Sequence, residues 1–85
     1  MRTRRELLII VRDELEKQGR IDTGLCNFTR LLKINWLIND EERSVLTTFF
    51  ILNSNKSYGG IIYLAEPGDY EFRLNWLNKH IEIIE

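Results

Sequence analysis

The N-terminal part of the chain has apolar residues at the spacing of one helix face. Between mainly charged positions, apolar side chains recur every three or four places, at Leu7, Leu8, Val11 and Leu15. Thr3 and Glu6 have the spacing of a capping box, in which each side chain accepts a hydrogen bond from a backbone N–H that the helix leaves unpaired. Gly19 is a typical residue at the end of a helix. The pattern predicts a helix over residues 4–18.

A second apolar set follows a connector at residues 20–24. Asp22 and Thr23 are both suitable N-cap residues, because their side-chain oxygens can accept hydrogen bonds from the first turn. The apolar positions that come next are Leu25, Phe28, Leu31 and Leu32. Their spacing predicts a second helix that ends between Ile34 and Leu37.

The segment after residue 39 combines a strong helix start with a strand-like composition. Asn39 and Glu42 repeat the capping-box spacing, and the acidic residues 40–42 suit the positive end of a helix dipole. The following run is rich in β-branched and aromatic residues, which favours a strand. One apolar stripe nevertheless keeps helical spacing, at Val45, Leu46, Phe49 and Leu52. We therefore predict a third helix over residues 40–53, with a strand at 45–52 as the alternative.

The C-terminal part contains turn residues, a short extended run and a last helix. Residues 53–60 are rich in turn formers and predict a surface loop. Residues 61–64 are β-branched and aromatic and precede Pro67 and Gly68, which predicts a single strand or extended segment. Asp69 is a suitable cap for the last helix. That helix has an inward stripe at Leu74, Leu77, Ile81 and Ile84 and a second stripe at Trp76, His80 and Ile83.

These elements predict a single domain, residues 1–85, that is mainly α with a minor β element. The architecture we expect is a compact bundle of about four helices plus one short strand or hairpin. A chain of 85 residues has room for one modest hydrophobic core. Small domains often complete their burial by association, and the last helix has a second apolar stripe, so we expect a homo-oligomer.

Composition and charge narrow the classes of partner. A hydrophobic fraction of 44% with 29% charged residues is typical of a folded globular protein. A formal net charge of −1 lacks the general attraction that dominates nucleic-acid binding, which argues against such a partner. Cys26, the one cysteine, cannot form an internal disulfide, and no apolar run approaches the ~20 residues of a membrane-spanning helix. We therefore expect a cytoplasmic protein without a membrane partner.

The sequence offers no convincing catalytic or metal-binding constellation. His80 is the one histidine, and no nucleophile or base is predicted beside it, so a partly exposed helix residue is the simpler interpretation. Cys26 is expected to be buried as a small apolar side chain. Gly59 and Gly60 lack the Lys-Ser/Thr pair and helix start of a phosphate loop. We predict a protein that is not an enzyme and needs no cofactor or metal.

Two groups of residues could bind an anion. The basic residues Arg2, Arg4 and Arg5 form either a solvated terminus or an anion-binding arm. Around the start of the last helix, free backbone donors, a guanidinium and aromatic rings suit an anionic, planar ligand such as a nucleotide. The predicted ligand-binding residues there are Tyr63, Asp69, Tyr70, Arg73 and Trp76. The alternative is that Tyr63 and Trp76 belong to the core and that Arg73 pairs with Asp69 or Glu66.

With these residues in view, the chain resembles a group of small uncharacterised proteins of bacteriophages and prophages. The motifs that carry the resemblance lie within residues 24–81. They are Gly24-Leu25-Cys26 at a helix start, Ile38 with Glu41-Glu42 at another, Tyr63 in a strand, the turn Pro67-Gly68-Asp69, and an Arg-x-x-Trp-Leu-x-x-x-Ile helix from Arg73 to Ile81. The group usually has a second aromatic residue beside the strand tyrosine, where this chain has Leu64.

The resemblance implies a source and an architecture, and small phage proteins of this size include inhibitors of host defence. Our first hypothesis is a non-enzymatic anti-defence sponge in the host cytoplasm that sequesters a nucleotide-derived immune signal of the cyclic-nucleotide or cyclic ADP-ribose type. The second is an inhibitor that contacts a host protein through exposed anchors, Trp36, Trp76 and Ile83. The third is a small transcriptional regulator in which the second and third helices form a helix-turn-helix.

Overall fold

The computed structural model describes residues 1–19, 24–53 and 69–83, which form four helices. These are α1 (Arg4–Gln18), α2 (Leu25–Ile34), α3 (Asp40–Asn53) and α4 (Asp69–Ile83). α1 packs against α3 and α4, and α2 packs against α3. The prediction of a compact, mainly α bundle of four helices is therefore confirmed. The described residues include no strand, and the segment predicted to be extended, 61–64, lies outside them, as does most of the predicted loop at 53–60.

Local hydrogen bonds set both ends of α1 as the sequence predicts. The backbone N–H of Glu6 donates to Thr3 Oγ1 (3.2 Å), and the Thr3 N–H donates to Glu6 Oε1 (2.9 Å), which completes the capping box. These bonds lower the pKa of the Glu6 carboxyl. At the other end Gly19 has a φ of 75° and donates its N–H to the Leu15 carbonyl. All four predicted apolar positions of α1 are buried.

Gly19 is expected to tolerate a side chain poorly, although space is available for one. A Cβ atom built at this position meets no heavy atom within 4 Å. The positive φ remains unfavourable for an L-residue, so Gly19→Ala should lower the free energy of unfolding by about 1 kcal/mol. Urea denaturation followed by circular dichroism measures this change. An unchanged midpoint would show that the backbone at residue 19 does not need glycine.

α2 differs from its prediction at its start and on one face. Its N-cap is Gly24, with no side-chain cap, and the predicted cap residues Asp22 and Thr23 lie outside the described residues. Of the four predicted apolar positions, Leu31 is exposed and the other three are buried. Thr29 is buried in its place, and its hydroxyl donates to the Cys26 carbonyl (2.6 Å), which satisfies the hydroxyl inside the core. The predicted end near Ile34 is confirmed.

α3 is a helix throughout, so the predicted helix over residues 40–53 is confirmed and the strand alternative at 45–52 is wrong. Its buried face is nevertheless rotated from the predicted stripe. Leu46, Phe49 and Phe50 are buried, whereas Leu52 is 77% exposed. Because α3 packs against both α1 and α2, its inward face is centred between Leu46 and Phe50. At 100° per residue, Leu52 lies about 140° around the helix from that centre. The prediction that Leu52 belongs to the inward stripe is wrong.

α4 uses an arginine on its inward face. Leu77 and Ile81 are buried as predicted, whereas Leu74 is half-buried and Ile84 lies outside the described residues. Arg73 precedes Leu77 by four residues and is also buried, so the inward stripe runs from Arg73 through Leu77 to Ile81. The three residues of the predicted second stripe differ in burial. Trp76 and His80 are half-buried, whereas Ile83 is exposed.

The four helices share one core, and polar bonds connect α1 to α4 at its edge. The Arg5 Nε–H donates to the Ile81 carbonyl (3.2 Å), and Arg12 donates to Asn78 Oδ1 (3.2 Å). The buried apolar residues of the core are Leu7, Leu8, Val11, Leu15, Leu25, Phe28, Leu32, Ile38, Leu46, Phe49, Phe50, Leu77 and Ile81. α1 therefore contacts both α3 and α4, and α3 contacts both α1 and α2.

Candidate functional site

The turn that follows α2 places a tryptophan where helices usually have glycine. The Leu37 N–H donates to the Leu32 carbonyl and the Trp36 N–H donates to the Lys33 carbonyl, both at 3.0 Å. This pair of bonds is a Schellman motif, in which the residue after the C-cap has a positive φ. The C-cap is Asn35, and Trp36 has a φ of 63°. The backbone that carries the indole is thus held in a tight, hydrogen-bonded turn.

The conformation of Trp36 is strained, and its side chain contributes nothing visible to packing. A left-handed backbone costs an L-residue roughly 1–2 kcal/mol relative to glycine. Trp36 is also 93% exposed, so burial within the chain does not offset that cost. Among the described non-glycine residues, Trp36 alone has a positive φ. Strain of this kind often accompanies functional sites, and here it accompanies a large, exposed aromatic ring.

Two further apolar side chains extend the exposed area around Trp36. Leu31 and Ile34 are exposed and lie three residues apart, so they are neighbours on the outer face of α2. An open pocket of about 510 Å³ lies beside the indole, and Arg2, Lys33, Ile34, Ile38, Asp40 and Glu42 contribute to its wall. We call Leu31, Ile34 and Trp36, together with this pocket, the Trp36 surface. It combines a projecting ring with an adjacent concavity.

An ion pair on the rim of the pocket links α2 to α3. Lys33 Nζ lies 2.6 Å from Asp40 Oδ1, and both side chains are accessible to solvent. Exposed pairs of this kind contribute at most about 1 kcal/mol, because water solvates both partners well when they separate. The two charges can therefore be redirected to another molecule at little cost.

A second ion pair holds the N-terminal segment against the start of α3. Arg2 donates from Nε and Nη2 to the Glu42 carboxylate, both at 2.8 Å, and from Nη2 to the Leu37 carbonyl at 2.7 Å. Glu42 also accepts from the Asn39 N–H (3.0 Å), and Asn39 Oδ1 accepts from the Glu42 N–H (2.8 Å), so the predicted capping box is confirmed. The guanidinium of Arg2 thus has a partner that neither alternative for the basic N-terminal residues predicted, and an anion-binding arm formed with Arg4 and Arg5 stays a prediction.

The Arg2–Glu42 pair changes the acidity of both groups. The Glu42 side chain is 4% exposed. The hydrogen bond from Arg2 lowers the pKa of the Glu42 carboxyl to about 2, burial opposes the shift, and bonds from the Asn39 and Arg2 backbones add to it. The same hydrogen bond raises the pKa of Arg2. Both groups are therefore charged near neutral pH, and their ion pair forms part of the wall of the pocket beside Trp36.

The predicted ligand-binding cluster is only partly open to solvent. Arg73 is 1% exposed, and Tyr70 and Trp76 are half-buried. Asp69 is the first residue of α4, and its side chain lies outside the described part of the structure. Tyr63 lies outside the described residues. A guanidinium so deeply buried cannot meet a phosphate without movement of its surroundings. The assignment of these five residues to a ligand stays a prediction.

Trp76 packs with other aromatic rings. Its ring centroid lies 6.1 Å from that of Phe49 and 4.2 Å from that of His80, and His80 lies 5.4 Å from Phe49 in an edge-to-face arrangement. Burial, with a smaller contribution from Lys79, lowers the pKa of His80. The imidazole therefore favours its neutral form, and the prediction that His80 is a partly exposed helix residue is confirmed.

Among the described residues, Cys26 and the acidic side chains do not form a metal-binding cluster. Cys26 is half-buried, and burial raises the pKa of its thiol although Arg43 opposes the shift. A raised pKa disfavours the thiolate, which is the nucleophilic form. Within residues 1–19, 24–53 and 69–83, no three His, Cys, Asp or Glu side chains lie together as metal ligands do.

Comparison with known proteins gives no relative for this geometry. None of the helices in the described segments has the length and apolar character needed to cross a membrane. The resemblance to small phage and prophage proteins stays a prediction that rests on the motifs themselves. No protein family, curated protein or solved structure matches the chain.

Proposed function

We propose that this chain is a non-enzymatic binding protein that acts by direct contact with another protein through the Trp36 surface. The observation that carries the proposal is a tryptophan held at a φ of 63° with 93% of its surface exposed. Glycine in that position would relieve the strain, and an inward-facing tryptophan would add to the core. Trp36 neither relieves the backbone strain nor adds to the core. The presence of tryptophan at this position is therefore best explained by contact with another molecule.

The composition of the Trp36 surface suits a protein partner. Tryptophan is enriched among the few residues that provide most of the binding energy at protein interfaces, and these residues lie centrally inside a polar rim. Here Leu31 and Ile34 flank the indole, and Lys33 and Asp40 provide a charged rim. The pocket beside Trp36 offers room for one side chain of the partner.

Trp36→Gly is expected to remove the proposed contact residue without destabilising the fold. Loss of the exposed indole removes no packing, relief of the positive φ stabilises the fold, and the greater freedom of glycine in the unfolded chain opposes this by about 0.4–1 kcal/mol. We expect the free energy of unfolding to stay unchanged or to rise by up to about 1 kcal/mol. Urea denaturation measures it. A loss of more than about 1 kcal/mol would assign Trp36 a structural role instead.

The same variant tests the function. Tagged wild-type chain is immobilised and exposed to bacterial lysate supplemented with untagged chain, in parallel with Trp36→Gly and Leu52→Ala. Leu52 is a comparably exposed apolar residue on α3, outside the Trp36 surface. We expect one near-stoichiometric protein to be retained by the wild type and by Leu52→Ala and to be lost with Trp36→Gly. Equal retention by all three, or by none, would contradict the proposal.

The two other functions suggested by the sequence have weaker support. Sequestration of a nucleotide-derived immune signal stays a prediction, because it needs Arg73 to reach a phosphate and that side chain is 1% exposed. A helix-turn-helix regulator would present the first turn of α3 to DNA. That turn exposes Asp40 and Glu41, which repel phosphate. The Trp36 surface has neither disadvantage.

A further inference from the structure

We infer that the occupant of the Trp36 surface is a second copy of this chain, related to the first by a two-fold axis. The inference rests on the proposed function, which it makes specific by naming the partner. In a two-fold interface the same patch meets itself, so each projecting feature needs a matching concavity on that patch. The Trp36 surface has both features side by side.

The projecting ring and the pocket are complementary. Trp36 and Ile34 both line an open pocket of about 510 Å³, so the indole is at once a projecting ring and part of the pocket wall. A volume in this range accommodates a small-molecule ligand, and therefore an indole ring. When two copies meet about an axis close to Trp36, the indole of each enters the pocket of the other. Ile34 and Ile38 then provide apolar walls.

The charges on the rim permit this arrangement. The patch carries Lys33 and Asp40, one positive and one negative, so two copies face each other without net repulsion. Rotation about a two-fold axis can bring Lys33 of each copy to Asp40 of the other. Both side chains are accessible in the single chain, which leaves them free to exchange partners. The overall charge of −1 adds little general repulsion.

The contact is small, so association should depend on concentration. One tryptophan buries about 150–250 Å², and interfaces that bury less than about 1,200 Å² in total belong to weak complexes. We expect sedimentation equilibrium of the wild-type chain between about 1 µM and 1 mM to show a monomer–dimer equilibrium. Trp36→Gly should weaken dimerisation by at least about 30-fold, as loss of a central interface residue does. Leu52→Ala should dimerise like the wild type.

A charge exchange tests the two-fold geometry. Lys33→Glu and Asp40→Lys each place like charges on the rim, so each variant alone should dimerise less well than the wild type. Mixed in equal amounts, they restore an acidic group opposite a basic group at both contacts and should form a mixed dimer. Lys17→Glu, an equal charge change at an exposed position of α1, should leave dimerisation unchanged. A mixture no more associated than its components would overturn the two-fold arrangement.

The outcomes separate this inference from the proposed function. A wild-type chain that stays monomeric at about 1 mM overturns self-association. If a different protein is then retained from lysate by the wild type and lost with Trp36→Gly, the proposed function stands with another partner. If neither a second copy nor another protein depends on Trp36, both proposals fail.

Discussion

Leu46→Ala is expected to lower the free energy of unfolding by about 2–5 kcal/mol. Leu46 is 1% exposed on α3, where the helix faces both α1 and α2. Truncation to alanine removes apolar contacts and leaves a cavity that the neighbouring side chains fill only in part. Urea denaturation followed by circular dichroism measures the loss.

The matched control for this prediction is Leu52→Ala on the same helix. Both leucines fall on the apolar stripe that the sequence predicts, but Leu52 is 77% exposed. The same chemical change there should alter the free energy of unfolding by no more than about 0.5 kcal/mol. Similar losses at both positions would contradict the orientation of α3.

Glu42→Gln is expected to lower the free energy of unfolding near neutral pH by about 1–3 kcal/mol. Glutamine keeps an oxygen that can accept from the Asn39 N–H, so the capping box can persist, but the ion pair with Arg2 is lost. The Arg2 side chain is 41% exposed, and solvent screening of its charge favours the lower part of this range. Urea denaturation of the two proteins in the same buffer measures the difference.

The pH dependence of stability gives an independent measure of the same pair. The pKa of Glu42 is about 2 in the folded chain and has an ordinary value of 4.5. A carboxyl whose folded pKa is depressed stabilises the fold above the unfolded pKa, and the stabilisation is lost as the pH falls through the folded pKa. The wild type should therefore lose this contribution between about pH 4.5 and pH 2, and Glu42→Gln should lack that part of the acid sensitivity.

Glu41→Gln is the control for the charge itself. It removes one negative charge from the neighbouring position, which is exposed, whereas Glu42 is buried against Arg2. Its stability and its acid sensitivity should stay close to those of the wild type. If Glu41→Gln and Glu42→Gln lose stability equally, the general charge of the first turn matters and the specific contact with Arg2 does not.

The sequence alone identified Trp36 as a candidate contact residue but did not predict the conformation of its backbone or the pocket beside it. The second hypothesis from the sequence named Trp36, together with Trp76 and Ile83, as an anchor for a protein partner on an exposed helix face. The positive φ, the pocket and the rim pair with Asp40 depend on how α2 ends and where α3 begins. The Arg73 cluster shows the reverse case. Its residue types suit an anion, yet the face of α4 that carries Arg73, Leu77 and Ile81 is the one that packs into the core.

The sequence by itself determined the features that depend on residues a few positions apart. The capping boxes at Thr3 and Asn39, the helical state of the predicted segments and the buried face of α1 all follow from local hydrogen bonds and periodicity. Tertiary packing decided the rotation of α3, the burial of Arg73 and the bond from Arg2 to a carboxylate 40 residues away. These outcomes depend on which helices meet, because a helix face becomes a core face only when another helix covers it.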